Sequence, residues 1–275
     1  MKKIFIAIGF FTLLVLLGFG CATNTATAQH SYAVLLGLNS EDSAILSSYG
    51  TVVIDAQYFT KDEITAVQAK GAAVYTYLNI GSIETFREGY DSLKQFSLSP
   101  YDNWPDEYWM DVSRPEWQSF IAAEAQSLIG KGVDGFFLDN ADVYYLYPTT
   151  AIYDGLVTMI QSLGQYGKPI LINGGDTFVS KAVLESESPL ACITGVNQEC
   201  VFTNINFSTG LLVRQDKDTS RYYQDYLAAC NDAGLQVYLT EYAPKNSTIE
   251  KTIQEYCVQN GFYYYLSHTI ELDGA

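Results

Sequence analysis

The chain has 275 residues, 48% of them hydrophobic and 14% aromatic, enough for a large core with rings left over for a surface site. Lys and Arg total 15 against 31 Asp and Glu, and the net charge of -16 argues against nucleic acid or an anionic membrane as partner. A cationic ligand fits that charge, although an acidic surface also serves simply to keep an exported protein soluble. The sequence has only two His, no paired-His or CxxC ligand spacing and no glycine-rich phosphate loop. Zinc and phosphate chemistry are therefore not expected, nor is any cofactor, and Ser-His-Asp catalysis would depend on His268 alone.

At the amino terminus Lys2 and Lys3 precede an apolar run that reaches about Gly20, the charged region and core of a secretory signal. Two processing sites compete. Cys21 directly follows the apolar core and resembles the lipid-modified Cys of bacterial lipoproteins, whereas Ala26-Thr27-Ala28 is a small-x-small cleavage site that would leave a free protein starting at Gln29. Residues 1–28 thus divide as signal and short tether, with one folded domain over 29–275, exported and either free or anchored to a membrane through Cys21.

From Tyr32 onward, eight short apolar runs alternate with amphipathic segments: 32–37, 51–56, 73–80, 135–140, 169–174, 193–199, 235–242 and 262–268. Most follow a Gly that ends the preceding helix, as at Gly71, Gly132, Gly167, Gly234 and Gly261. Helices are expected over 61–70, 115–131, 152–163, 219–233 and 248–260; the second opens with Pro115 and sets Trp117, Phe120, Ile121 and Leu128 at helical spacing. Eight strand-helix units close most naturally into a single-domain α/β (β/α)8 barrel, expected as a monomer, with an open doubly wound sheet as the structural alternative.

Two segments break the rhythm. The link 81–114 carries Trp104, Pro105, Tyr108, Trp109 and Asp111 without strong periodicity, and loops of such length are usually functional or disordered; the aromatic content favours function. A second irregular stretch runs over 200–218. Cys192 and Cys200 bracket one predicted strand, which puts them roughly 25 Å apart and excludes a bond between them. At most one disulfide is feasible among Cys192, Cys230 and Cys257.

The most informative run is 135–140, in which Gly135-Phe136-Phe137-Leu138 reads as a buried strand delivering Asp139 to its carboxyl end, where α/β barrels place ligands. The corresponding ends of the other runs carry Asp55, Tyr77 and Asn79, Asn173, Asn197 and Glu199, Glu241 and Tyr242, and Ser267 and His268. Carboxylates crowded on one half-dry rim cannot all ionise, so at least one is expected to titrate high and to serve as an acid. Paired carboxylates walled by Tyr and Trp are the equipment of glycoside hydrolysis, with a polysaccharide or oligosaccharide as substrate. Any single one of these acids could equally cap a helix or tie a loop, and His268 is more readily a satisfied rim histidine than a catalytic one.

The segments YTYLNIGSIETFR from Tyr75, WMDVSRPEWQ from Trp109, DGFFLDN from Asp134, LINGG from Leu171 and ECVF from Glu199 resemble, in order, the motifs of glycoside hydrolase family 114, the endo-α-1,4-polygalactosaminidase type of barrel. The resemblance implies an enzyme that cuts α-linked galactosamine polymers within the chain. It implies Asp139 as nucleophile and Glu199 as general acid/base, with substrate held by Asp55, Tyr77, Asn79, Asp111, Asn140, Asn173, Asn197, Glu241 and Tyr242. A cationic amino sugar suits the acidic charge independently of the motifs. A surface barrel that binds carbohydrate without cutting it, and a hydrolase for another α-glycan, are the alternative readings.

Overall fold

The computed structural model describes residues 31–38 and 40–274, so the signal, Cys21 and His30 lie outside the described residues. In chain order the strands are β1 (Tyr32–Val34), β2 (Thr51–Ile54), β3 (Ala73–Asn79), β4 (Ser82–Glu84), β5 (Ser97–Pro100), β6 (Glu107–Met110), β7 (Gly135–Asp139), β8 (Ile170–Asn173), β9 (Gly195–Glu199), β10 (Thr203–Asn206), β11 (Leu211–Arg214), β12 (Gln236–Tyr242) and β13 (Tyr263–Ser267). The helices are α1 (Lys61–Gln68), α2 (Tyr90–Leu93), α3 (Pro115–Gly130), α4 (Val143–Leu146), α5 (Thr150–Gly164), α6 (Asp176–Val179), α7 (Lys217–Asp232) and α8 (Thr248–Asn260).

Eight strands form one parallel sheet in the order β1-β2-β3-β7-β8-β9-β12-β13, and β13 lies back against β1, so the sheet is a nearly closed (β/α)8 barrel. This strand order excludes the open doubly wound alternative. The tail after β13 helps close the seam, since Gly37 N donates to Leu272 O at 3.2 Å. The strands alternate with helices because each apolar run is flanked by capping chemistry. Thr60 and Glu63 form a reciprocal capping box at α1, Pro115 occupies the first turn of α3, and the Asp216 side chain accepts from two backbone N–H groups of α7. None of the described helices is long and apolar enough to cross a membrane.

Tyrosines pack together across the barrel strands: Tyr238 stacks on Tyr263 at 4.7 Å and tilts against Tyr32 at 4.7 Å, with Tyr32 and Tyr238 buried and Tyr263 half-buried. Such bulk needs compensating small residues: a Cβ on Gly135 would stand 2.6 Å from the Tyr75 ring, so β7 begins with the one residue that lets that ring pass.

Both segments without periodicity turn out to be ordered β-structure. The link 81–114 carries the three-stranded antiparallel sheet β4-β6-β5, and the stretch after Glu199 folds as the hairpin β10-β11. The first insertion is pinned to the barrel by Arg87, whose guanidinium meets Asp55 at 2.7 Å, Glu84 at 3.0 Å and Gln57 Oε1 at 2.9 Å and lies over the rings of Phe86, Tyr77 and Tyr58. The two insertions meet through Trp104 and Phe207, edge to face at 6.0 Å. Cys192, Cys200, Cys230 and Cys257 are all free thiols.

Removing one member of a largely buried ion pair strands its partner, so Arg87→Ala is expected to destabilise the fold by about 3–5 kcal/mol. Urea unfolding of wild type and variant measures this, and coincident midpoints would show that the insertion is held by other contacts.

Candidate active site

Three strands deliver the central groups, and each ends in the same way. Asp139 closes β7, Asn173 closes β8 and Glu199 closes β9; the residues that follow them, Asn140, Gly174 and Cys200, all take left-handed backbone conformations, with φ of 65°, 60° and 58°. Asn and Gly enter that region at little cost, but a Cys there carries strain of order 1–2 kcal/mol. The repeated left-handed step turns the chain sharply at the rim, so Asp139 and Glu199 stand half-buried at the mouth with Asn173 buried between them, while the strands below stay buried.

Asn173 lies between the two acids. Its Nδ2 donates to Asp139 Oδ1 at 2.8 Å and to Glu199 Oε1 at 2.8 Å. The two hydrogens of one planar amide diverge by about 120°, which puts the two carboxylate oxygens about 5 Å apart. Asn173 is itself held: its Oδ1 accepts from Asn197 Nδ2 at 2.6 Å, and Asn197 Oδ1 accepts from Tyr32 Oη at 3.2 Å and Thr240 Oγ1 at 3.1 Å inside the barrel. With its oxygen committed to Asn197, the Asn173 amide cannot flip, and both its N–H bonds are aimed at the acids. The Tyr242 hydroxyl donates to Glu199 Oε2 at 2.7 Å, and the Asn140 backbone N–H donates to Asp139 Oδ1 at 3.0 Å.

The electrostatics follow from this crowding. Burial, then the neighbouring Glu199 charge, push Asp139 up to about 8, with the Asn173 hydrogen bond opposing them. Two carboxylates this close do not both ionise, so the pair holds one proton at neutral pH. Asp142 is raised to about 6 by burial and then by Asp176, against the hydrogen bond its carboxylate accepts from Gly175 N at 3.0 Å. Tyr77, Tyr101 and Tyr242, all raised, stay protonated and available as donors; burial is the leading cause for each. Among the described residues no group of three or more His, Cys, Asp or Glu could hold a metal ion.

Not every residue at a strand end reaches this centre. Asp55 is occupied by Arg87 and by the backbone N–H of Gln57. Glu241, with no solvent exposure, accepts from Phe202 N at 2.9 Å and Thr203 N at 3.0 Å and roots the β10-β11 hairpin; burial lifts it to about 7. Asp111 accepts from the backbone N–H and hydroxyl of Ser113 in the turn before α3. His268 Nδ1 pairs with Ala243 O at 2.8 Å. Asn79 and Asn140 are buried and bonded to one another and to Ser82 and Glu107. Glu107 and Tyr101, which the strand-end reading did not single out, come from the first insertion: Tyr101 stacks on Trp109 at 4.4 Å and its hydroxyl donates to Asn140 Oδ1 at 3.3 Å.

A parallel (β/α)8 barrel with a close carboxylate pair at the carboxyl ends of its strands, bordered by tyrosines, has the framework of a glycoside hydrolase. The model of glycoside-hydrolase family GH114 matches residues 20–275, and the chain belongs to that family. It is a glycoside hydrolase. Among solved structures it is similar to the glycoside hydrolase domain of PelA from Pseudomonas aeruginosa, with a TM-score of 0.76 at 19% identity over 88% of this chain and 96% of that one. It is also similar to Ega3 from Aspergillus fumigatus in complex with galactosamine, with a TM-score of 0.67 at 16% identity over 90% and 94% of the two chains. The α-galactosidase TtGalA from Thermus thermophilus shares the fold more loosely, with a TM-score of 0.58 at 11% identity over 85% of this chain and 57% of that one. No curated protein matches the chain in sequence.

Asp139, Asp142 and Glu241 all bind protons more tightly in the folded chain than an unfolded carboxylate does. Unfolding therefore releases protons between the unfolded value of about 4 and the folded values up to about 8, and stability falls as pH rises through that window. The thermal midpoint is expected to be higher at about pH 5 than at about pH 8, and a midpoint that climbs over that interval would contradict the assignment.

Proposed function

We propose that the protein is an exported, endo-acting hydrolase of α-1,4-linked galactosamine-type polysaccharide that works with retention of anomeric configuration. The observation that carries this reading is the amide bridge: Asn173 donates to both Asp139 and Glu199 at 2.8 Å. The resulting gap of about 5 Å agrees with the roughly 5 to 5.5 Å of retaining enzymes rather than the roughly 6.5 to 9.5 Å that leaves room for an inverting water.

Asp139 is the nucleophile. Both of its donors fall on Oδ1, which leaves Oδ2 to form the bond to the anomeric carbon. As that bond forms the glycosidic C–O bond breaks, and the proton on Glu199 passes to the leaving oxygen. Water then attacks the glycosyl-enzyme, Glu199 takes its proton, and the Asp139 ester bond is released. Burial and the Glu199 charge favour that single proton on Asp139 in the resting pair, so the reactive arrangement is the one in which the proton has passed to Glu199, beside the Tyr242 hydroxyl, and left Asp139 ionised.

For the substrate, support comes from the family, from the galactosamine bound to Ega3 and from the net charge of -16, which favours a polymer bearing free ammonium groups. Export rests on Lys2, Lys3 and the apolar run after them, and attachment to a membrane would run through Cys21.

Purified protein incubated with defined α-1,4-galactosamine oligomers is expected to give internal cleavage products whose first-formed anomer, followed by proton NMR, is α. Glu199→Gln is expected to lower kcat by roughly 10²- to 10⁴-fold, and Asp139→Asn by at least as much. Binding of the oligomers with no turnover would favour a carbohydrate-binding barrel, turnover of neutral α-glycans alone would move the substrate, and a first-formed β anomer would make the enzyme inverting.

A further inference from the structure

Behind Asp139, on the side away from Glu199, lies a buried acid that belongs to the first insertion and not to the barrel. Glu107, the first residue of β6, is 9% exposed, and its Oε1 accepts from Asn79 Nδ2 at 3.0 Å, Asn140 Nδ2 at 3.0 Å and the Ser82 hydroxyl. Asn140 is the left-handed residue after Asp139. Its Nδ2 reaches Ser82 Oγ at 2.7 Å and Asn79 Oδ1 at 3.2 Å in addition to Glu107, and its own backbone N–H points at Asp139 Oδ1 at 3.0 Å. Gly81 allows this arrangement, because a Cβ there would stand 1.8 Å from the Asn140 carbonyl oxygen. A side chain fastened this firmly fixes the peptide that carries it.

We propose that Glu107 is a positioning residue for Asp139: by gripping the Asn140 side chain it locks the Asn140 peptide in its left-handed turn, keeps that N–H on Asp139 Oδ1, and so leaves Oδ2 as the reacting oxygen. The proposal rests on the reading of Asp139 as nucleophile, and it gives the first insertion a part in the chemistry beyond covering the barrel. Glu107 also adds negative charge near Asp139. The groups facing Asp139 are Glu199 from β9, Glu107 from β6, Asp142 from its own loop and the hydroxyls of Tyr77, Tyr101 and Tyr242. Those facing Glu107 are Glu84 opposite it on β4, Tyr77, Tyr101 and Asp139. Glu84 is paired with Arg87, which it shares with Asp55, whereas Glu107 makes no ion pair among the described residues.

The test combines Glu107→Ala, Asn140→Gly, their double variant and Glu107→Gln. Gly adopts the left-handed turn and keeps the backbone N–H but has no side chain to grip. Glu107→Ala and Asn140→Gly are each expected to lower kcat by about 10- to 100-fold with little change in KM, and the double variant to be no worse than the poorer single, because the two residues act in series. Glu107→Gln keeps an acceptor oxygen for the three donors and is expected to recover most of kcat. By removing a negative charge it should let Asp139 ionise more easily, moving the acidic limb of kcat/KM to lower pH. Additive losses, a change in KM alone, or a Glu107→Gln that is as slow as Glu107→Ala would overturn the proposal. If Glu107→Ala does not fold, Glu107→Gln and Asn140→Gly decide the question.

A readout independent of turnover separates this proposal from the functional one. The backbone amide proton of residue 140, held on Asp139 Oδ1, is expected to exchange faster with solvent in Glu107→Ala than in wild type and to keep its wild-type exchange in Glu107→Gln, whatever polymer the wild type cuts. Unchanged exchange in Glu107→Ala would overturn the role of Glu107 while leaving the hydrolase reading intact, and faster exchange in a protein inert towards galactosamine oligomers would keep that role and move the substrate.

Discussion

The molecule depends on a single amide nitrogen shared by two carboxyl groups. Asp139 and Glu199 would repel one another across the barrel mouth, yet Asn173 gives one hydrogen to each, and its oxygen is tied through Asn197 to Tyr32 and Thr240 in the barrel interior. The distance between the acids is thus set by bonded geometry that reaches down into the core. Close carboxylates and limited solvent are what hold a proton on the pair at neutral pH. The hydroxyls of Tyr32 and Thr240 belong to the same design, because a purely aliphatic barrel would offer the Asn197 oxygen nothing to bond.

The two insertions give the rim an identity that a bare barrel lacks. The β4-β6-β5 sheet brings Glu107 and Tyr101 to the residue behind Asp139, and the hairpin after Glu199 is rooted on the buried Glu241. Trp104 and Phe207 join the insertions at their outer ends, leaving both rings 42% exposed. Several acids at strand ends therefore serve the frame: Asp55 fastens one insertion through Arg87 and Glu241 fastens the other, while Asp139 and Glu199 are paired across the mouth.

Much of this was legible in the chain. All eight barrel strands were marked by short apolar runs, most of them after a helix-ending glycine, because strands buried on both faces are largely hydrophobic and the chain turns at each helix end. Asp139 stood out as a charged residue directly after Phe136-Phe137-Leu138, whereas Glu199 follows Asn197 and Gln198 and was marked by its place at a strand end and by the ECVF motif. The insertions were not legible. β5 reads Ser-Leu-Ser-Pro and β10 reads Thr-Asn-Ile-Asn, short strands with one face open to water, whose weak alternation cannot be told from a polar loop. Glu107 was hidden by that same segment, and no local signal distinguishes an acid that accepts three hydrogen bonds from one that faces solvent. Asp55 and Glu241 looked like substrate ligands because their positions are those of ligands; what occupies them is decided by Arg87 and by the hairpin backbone, contacts between residues distant in sequence.

The most direct measurement of the central claim is the site of covalent attachment. A galactosamine-derived fluoro-sugar with a good leaving group, reacted with the protein and followed by peptide mass spectrometry, should leave one glycosyl group on the peptide that carries Asp139. Attachment to Glu199 would exchange the two roles. An enzyme that turns the reagent over without any adduct, and releases inverted product, would show that the acids joined by Asn173 do not form a glycosyl-enzyme at all.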